Sequence, residues 1–177
     1  MNYPDNVKNY FQLLEQWKPY FGFTNLGIEP NWLFDRAYKR DRIETTKFGK
    51  VNCFSFVKYQ NEPYNPARFE QFSRESFNYA SKIRQGNPLG FGGMLVVYPC
   101  LIVEKATQEQ IDFLGRYVNK HFAANEFPSL VELSTGDLYC YPRTPIWGAL
   151  YYDGYRKESR DFFSPKAWQR ISDQKQI

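Results

Sequence analysis

The feature that most constrains this chain is an almost unbroken apolar run, MLVVYPCLIVEK, at residues 94–105. The run is too short to cross a bilayer, which takes about 20 apolar residues, and its Val and Ile residues are typical of a strand. A strand that is apolar at nearly every position is buried on both faces. We therefore place this run at the centre of a sheet, with Pro99 at a bulge, an edge or a break.

Four other segments have the signals of helices. Apolar residues recur at helical spacing from Asp5 to about Phe21 and again from Pro66 to Gln85. A third helix is predicted to begin at the capping box Thr107–Gln110 and to continue through Phe122. The pair Ser164-Pro165 is a suitable start for a short closing helix.

Two hairpins are predicted between these helices. One lies within residues 32–60 and turns at Phe48-Gly49-Lys50, and the other joins Ser129–Thr135 to Leu138–Tyr141 through Gly136, with a further strand possible at Ile146–Tyr152. This mixed order predicts an α+β fold. We expect a single globular domain over residues 1–177, with a mixed, largely antiparallel sheet packed by about three to four helices.

Composition favours a cytoplasmic protein without a metal or cofactor. The amino terminus lacks a basic segment followed by an apolar one, and no membrane contact is expected. The three cysteines, Cys53, Cys100 and Cys140, are far apart and odd in number, so we expect reduced, mostly buried thiols and no disulfide framework. With one histidine and no closely spaced cysteines, the chain has no ligand pair typical of a metal site.

The preferred functional hypothesis comes from the aromatic share of 19%, which is densest near the carboxyl terminus. Tyr, Trp and Arg are enriched at binding surfaces, although the same rings could equally form an aromatic core beneath the last helix. We expect a binding or interaction protein rather than an enzyme, with an unidentified protein or small-molecule ligand as its partner. The predicted binding residues are Tyr139, Tyr141, Arg143, Trp147, Tyr151 and Tyr155.

A first alternative is a module that binds single-stranded nucleic acid. The net charge is +4, and cations cluster between residues 36 and 58 with aromatic residues among them. Such a mixture can stack bases and neutralise phosphates, although nearby acids dilute the charge. The predicted contacts are Arg36, Lys39, Arg40 and Arg42.

A second alternative is a small hydrolase or transferase centred on His121, Glu126 and Glu132. His121 is the only imidazole available for proton transfer, and its predicted place near the end of the third helix could bring it beside Glu126. The simpler interpretation of His121 is a contact with the carbonyls at that helix end. Glu132 is expected to face solvent if one face of its strand is core, and to be a buried acid if both faces are covered.

Overall fold

A mixed sheet of seven strands lies between two layers of helices. The computed structural model describes residues 2–44, 49–61, 65–119, 121–145 and 151–175. The five helices in these residues are α1 (Asp5–Tyr20), α2 (Pro66–Ile83), α3 (Gln108–Leu114), α4 (Tyr152–Phe163) and α5 (Pro165–Lys175). The strands are β1 (Thr24–Asn25), β2 (Arg36–Glu44), β3 (Gly49–Tyr59), β4 (Gly93–Val103), β5 (Ala124–Glu126), β6 (Ser129–Glu132) and β7 (Asp137–Cys140).

The sheet is parallel in its centre and antiparallel towards both edges. Its strand order is β1-β2-β3-β4-β6-β7, and β5 also pairs with β4. The pairs β3–β4, β4–β5 and β4–β6 are parallel, whereas β1–β2, β2–β3 and β6–β7 are antiparallel. The α+β prediction therefore fits, but the expectation of a largely antiparallel sheet was wrong. Helices α2 and α3 provide the crossovers that parallel neighbours need.

The predicted central strand is confirmed as β4. One face of β4 contributes Val96, Tyr98 and Cys100 to the core beneath α1, α4 and α5, and the other contributes residues such as Leu95 and Val97 to the core beneath α2 and α3. Because both faces are covered, the strand has no polar alternation.

Pro99 lies opposite a break in the neighbouring strand. Strands β5 and β6 keep one register against β4, with Val97 opposite Glu126 and Cys100 opposite Ser129. Between them the chain passes through Pro128, which has no N–H to donate to the ladder. The prediction that Pro99 lies at a bulge, an edge or a break was wrong for its own strand, because Pro99 lies within the continuous central strand β4 and pairs with Phe56 of β3; the interruption falls in the neighbouring strand instead.

The helix predictions were correct for α1, α2 and α5 and wrong for the length of the third helix. The Thr107 capping box is present, but α3 ends at Leu114, immediately before Gly115. Helix α4 was not predicted, which explains why the observed number of helices exceeds the three to four expected. The strand predicted at Ile146–Tyr152 lies mostly outside the described residues, and Tyr152 begins α4.

The hairpin predicted to join Ser129–Thr135 to Leu138–Tyr141 is confirmed as β6–β7, in which Glu132 pairs with Asp137. The hairpin predicted within residues 32–60 is confirmed as β2–β3, but its turn was wrongly placed, because Gly49 and Lys50 already belong to β3 and pair with β2; Phe48 lies outside the described residues. The cysteines are free thiols, buried at Cys53 and Cys100. No helix in the described ranges is long and apolar enough to cross a membrane.

Candidate functional site

A cavity of about 630 Å³ opens beside the carboxyl ends of β3 and β4, and we call it the β3–α2 pocket. Its wall includes Lys58 and Tyr59 at the end of β3, Leu101 of β4, and Phe69 and Phe72 of α2. In open α/β sheets, ligands bind in the crevice outside the carboxyl ends of parallel strands. The volume also falls within the range of about 300–1,000 Å³ that is typical of small-molecule sites.

The start of α2 places its apolar face against this pocket. The side-chain oxygen of Asn65 accepts a hydrogen bond from the N–H of Ala67 at 2.9 Å, which caps the helix. Pro66 follows as the first helical residue, a position where its missing N–H costs nothing. Phe69 and Phe72 are buried one turn apart on the same helix face, so together they form an apolar side of the cavity.

A buried carboxylate holds the base of the pocket together. Asp35 accepts hydrogen bonds from the Tyr3 hydroxyl at 3.0 Å, the Lys58 Nζ at 3.1 Å and the Tyr59 N–H at 2.7 Å. Burial, followed by the charge of Asp35, raises the pKa of Tyr3 to about 12. Because three donors already satisfy Asp35, one of them the cation of Lys58, it fixes the shape of the site and does not act as a free base.

Trp32 projects from the wall of the pocket with 70% of its surface exposed. The turn that carries it is fixed, because Asn31 Oδ1 accepts hydrogen bonds from the N–H groups of Leu33 at 2.8 Å and Phe34 at 3.1 Å. Leu33 and Phe34 are buried on the sheet side. The backbone that carries Trp32 is therefore anchored, and the exposed indole is available for contact with a ligand.

Four amide side chains contribute to the polar lining. Lys58 is paired with Asp35, and Arg68 adds a second positive charge. An amide presents both donors and an acceptor, so the lining can match a ligand that carries both kinds of group. The amide residues are Asn2, Gln60, Asn61 and Gln71.

Comparison of the chain with protein-family models, with curated proteins and with solved structures found no match. The described residues also contain no group of three or more His, Cys, Asp or Glu side chains positioned to hold a metal ion. The chemistry of the pocket is therefore the basis for assigning a function.

Two of the three residues predicted for acid–base chemistry do come together. His121 Nε2 lies 3.6 Å from Glu126 Oε2, and the imidazole stacks on Phe77 with centroids 3.9 Å apart. The buried Glu126 also accepts hydrogen bonds from Tyr117 at 2.7 Å and from Asn119. Burial alone would raise the pKa of Glu126, but these neighbours outweigh it and hold the pKa below its usual value. Neither His121 nor Glu126 lines the β3–α2 pocket.

The third residue, Glu132, lies elsewhere. Glu126 is in register with Val97 and Glu132 with Val103, so about 20 Å of strand separates the two acids at ~3.3 Å per residue. Glu132 is buried rather than solvent-facing, because helices cover both faces of the sheet. His121 is also not near a helix end as predicted, since it forms an isolated bridge with Ala124 well beyond α3.

The basic residues predicted to contact nucleic acid are engaged by carboxylates of the protein itself. Arg40 and Arg42 both contact Glu158 of α4, and they lie against the helical layer on that face of the sheet. A phosphate backbone would have to displace these internal partners. The other two pairs are Arg36 with Glu15 at 3.4 Å and Lys39 with Asp41 at 3.3 Å.

The predicted aromatic binding residues divide between core and surface. Tyr155 is 1% exposed and packs against Tyr98 and Phe127, so its ring belongs to the core. Tyr139, Tyr141 and Tyr151 are half-buried, and Arg143 is exposed. Trp147 lies outside the described residues.

Sequence reasoning did not identify the residues that form the β3–α2 pocket. Trp32 follows Pro30-Asn31 and precedes two residues that are buried, so a Trp in a turn sequence was the available signal. Asp35 and Lys58 are 23 residues apart in the chain, and only the pairing of β2 with β3 brings them together.

Proposed function

We propose that this protein binds a nucleoside or nucleotide in the β3–α2 pocket, with the base stacked on Trp32. The observation that carries this proposal is the indole itself, which a fixed turn holds exposed beside a cavity at the carboxyl edge of parallel strands. Among the described residues, Trp32 is the tryptophan with by far the largest exposed fraction. The sequence analysis also expected a binding protein, but it placed the binding surface near the carboxyl terminus and not at the β3–α2 pocket.

The apolar and polar parts of the lining match the two parts of a base. Stacking on an aromatic side chain contributes about 1–3 kcal/mol per base, and Phe69, Phe72 and Leu101 supply further apolar surface. Amide side chains recognise base edges because they offer a donor and an acceptor in one plane. The four amides that line the pocket give it this capacity.

The charges of the pocket favour a ligand that is neutral or anionic. The described residues of the lining carry two cationic side chains, Lys58 and Arg68, and one carboxylate, Asp35, which is paired with Lys58. A phosphate group on the ribose would therefore meet more cations than carboxylates among these residues. The same balance disfavours a cationic ligand.

The lining supports binding rather than covalent chemistry. The described residues around the cavity include no His, Cys or Ser, and Asp35 is saturated with donors. A site without an activated nucleophile or an available base lacks the groups needed for acyl or phosphoryl transfer through the protein. We therefore assign this pocket a recognition role.

Isothermal titration with adenosine, guanosine, cytidine, uridine and their 5′-monophosphates tests the proposal, with glucose as a ligand that has no aromatic ring. We expect saturable binding of at least one nucleoside. Trp32→Ala should weaken it by about 5- to 140-fold, because a stacking contact of about 1–3 kcal/mol is lost. Trp32→Phe should weaken it less, since a smaller ring remains.

The matched control is Phe122→Ala, which removes an exposed aromatic side chain at the opposite end of the parallel strands. This variant should bind like the wild type. The proposal fails if no nucleoside or nucleotide binds saturably, or if Trp32→Ala binds as tightly as Phe122→Ala.

A further inference from the structure

A second concave surface lies between the end of α3, strand β7 and helix α4, and it encloses about 860 Å³. None of the described residues lines both this surface and the β3–α2 pocket. Arg116 lies on the α3 side, Arg156 and Arg160 lie on α4, and Tyr139 and Cys140 of β7 form part of its floor. We call this surface the arginine cleft.

The cleft concentrates positive charge. Among the described residues, its lining contains three arginines and one carboxylate, that of Asp112, which already accepts a hydrogen bond from Gln108 at 2.8 Å. Arg156 and Arg160 are four residues apart on one helix, so their Cβ atoms are about 5–6 Å apart on the same face. Like charges at this spacing repel one another, and an anion between them would relieve that repulsion.

The arginines on both sides of the cleft are held in place before any ligand arrives. Arg156 donates to the carbonyl of Arg143 at 2.6 Å and to the Thr144 hydroxyl at 2.7 Å, and it also pairs with Asp153. On the other side, Arg116 Nε donates to the carbonyl of Asp112 at 3.2 Å. A guanidinium has five N–H donors, so these bonds orient the group without exhausting it.

One more arginine connects the two sides. Arg143 Nη2 donates to the carbonyl of Gly115 at 2.8 Å, which ties the segment after β7 to the end of α3. Since Gly115 lines the cleft and Arg143 also accepts from Arg156, this bond sets the distance between the two groups of cations. By contrast, no hydrogen bond or ion pair of the Arg160 guanidinium is found within the described residues, which leaves it accessible to a ligand.

From this geometry we infer that the arginine cleft is a binding site for a phosphate monoester. Guanidinium groups bind phosphate with paired, charge-assisted hydrogen bonds, and clusters of arginines are the usual means of recognising phosphorylated groups. The half-buried Tyr139 and Leu138 beside the cations offer apolar surface to the organic part of such a ligand. The site is independent of the nucleoside pocket. It includes Tyr139, one of the binding residues predicted from the sequence, and the ligand inferred for that region is a phosphate monoester.

The thiol on the floor of the cleft fits binding and not phosphate hydrolysis. Burial raises the pKa of Cys140 to about 11, although Arg160 and Arg156 act in the opposite direction. A thiol with this pKa stays protonated near neutral pH, and only a thiolate would attack phosphorus. A bound phosphate is therefore expected to remain intact.

Isothermal titration with pyrophosphate and with inorganic phosphate tests the inference in the full chain. We expect binding that weakens as salt is added, and that weakens about tenfold or more in Arg116→Glu and in Arg160→Glu. Arg160→Gln is a second variant for the case that Arg160→Glu does not fold, because it removes the charge without placing an acid at the end of α4. The matched control is Arg74→Glu, which makes the same charge change at an exposed position of α2.

Two outcomes overturn the inference. One is the absence of saturable binding of either probe at low salt, and the other is an equal loss in Arg74→Glu, which would show that only net charge matters. Vesicles of phosphatidylcholine with and without phosphatidic acid then identify the source of the phosphate. Binding to the phosphatidic acid vesicles that Arg160→Gln abolishes indicates a lipid headgroup, whereas binding of the soluble probes alone indicates a free phosphate ester.

Discussion

Lys18 illustrates how one residue can carry a large energetic cost within this fold. Its side chain is fully buried beneath α1, where Nζ donates to the Ser55 hydroxyl at 2.6 Å. The ammonium lies 4.0 Å from the centroid of Phe163 and 4.7 Å from that of Phe23, contacts that offset part of the desolvation. Burial nevertheless lowers the pKa of Lys18 to about 7.

We predict that Lys18→Met raises the free energy of unfolding by about 1–4 kcal/mol at pH values below 7, as replacement of buried charge by apolar groups often does. In the wild type, the unfolded chain binds an extra proton between the folded pKa of about 7 and the unfolded pKa of about 10.4. Stability should therefore rise with pH across that window, and Lys18→Met should remove the rise.

Urea unfolding from about pH 6 to pH 9 measures both effects. Lys8→Met, a partly exposed lysine on the same helix, should leave the pH profile unchanged. A Lys18→Met protein that is less stable than the wild type at the acid end of this range would contradict the argument.

At the scale of elements, α3 shows why a helix can start as predicted and still end early. Its capping box is complete, since Thr107 Oγ1 accepts from the Gln110 N–H at 3.3 Å and Gln110 Oε1 accepts from the Thr107 N–H at 2.8 Å. The apolar spacing continues to Phe122, yet the helix ends at Leu114, before Gly115. Phe122 is largely exposed, so its side chain does not pack in a core that would stabilise a longer helix.

We expect Thr107→Ala to lower the free energy of unfolding by about 0.5–2 kcal/mol, the usual cost of losing an N-cap. Thr107→Ser keeps the capping oxygen and should restore most of the loss. Chemical denaturation of the two variants at neutral pH provides the comparison. If both variants lose the same stability, packing of the Thr107 methyl group and not the cap is responsible.

At the scale of the whole molecule, Glu158 connects the outer helical layer to the sheet. From α4 it contacts Arg40 at 3.1 Å and also pairs with Arg42 of β2 and with the hydroxyl of Tyr98 of β4. Burial alone would raise the pKa of Glu158, but these partners lower it below its usual value. A carboxylate of this kind stabilises the fold above the unfolded pKa, and that stability is lost as the pH falls through the folded pKa.

We predict that Glu158→Gln lowers the free energy of unfolding by about 3 kcal/mol at neutral pH, because two arginines lose a partly buried charged partner. The difference from the wild type should shrink as the pH falls below the ordinary Glu pKa of about 4.3 and through the lower pKa of the folded carboxyl group, because the wild-type side chain then also becomes protonated. Denaturant unfolding at a series of pH values from neutral to acid tests this, and Glu29→Gln at an exposed site is the control. A difference that stays constant with pH would exclude the proposed ionic link.

The sequence determined the elements whose signals are local. The apolar run of β4, the faces of α1 and α2, the Thr107 cap and the β6–β7 turn were all predictable, because each depends on residues within a few positions of one another. The same reasoning brought His121 to Glu126, which are close in the chain. It overlooked α4, although Tyr152, Tyr155, Phe162 and Phe163 have helical spacing, because their rings were interpreted as a binding surface.

Tertiary structure decided everything that depends on distant partners. Helices cover both faces of the sheet, which buries Glu132 and places Tyr155 in the core, and no local pattern distinguishes a face covered by helices from one open to water. The β3–α2 pocket and the arginine cleft also depend on distant partners, since Asp35 meets Lys58 only when β2 pairs with β3, and Arg116 and Arg160 line one cleft only when α4 packs beside β7 and the end of α3. Periodicity records which residues share a face, whereas a site requires that separate faces converge.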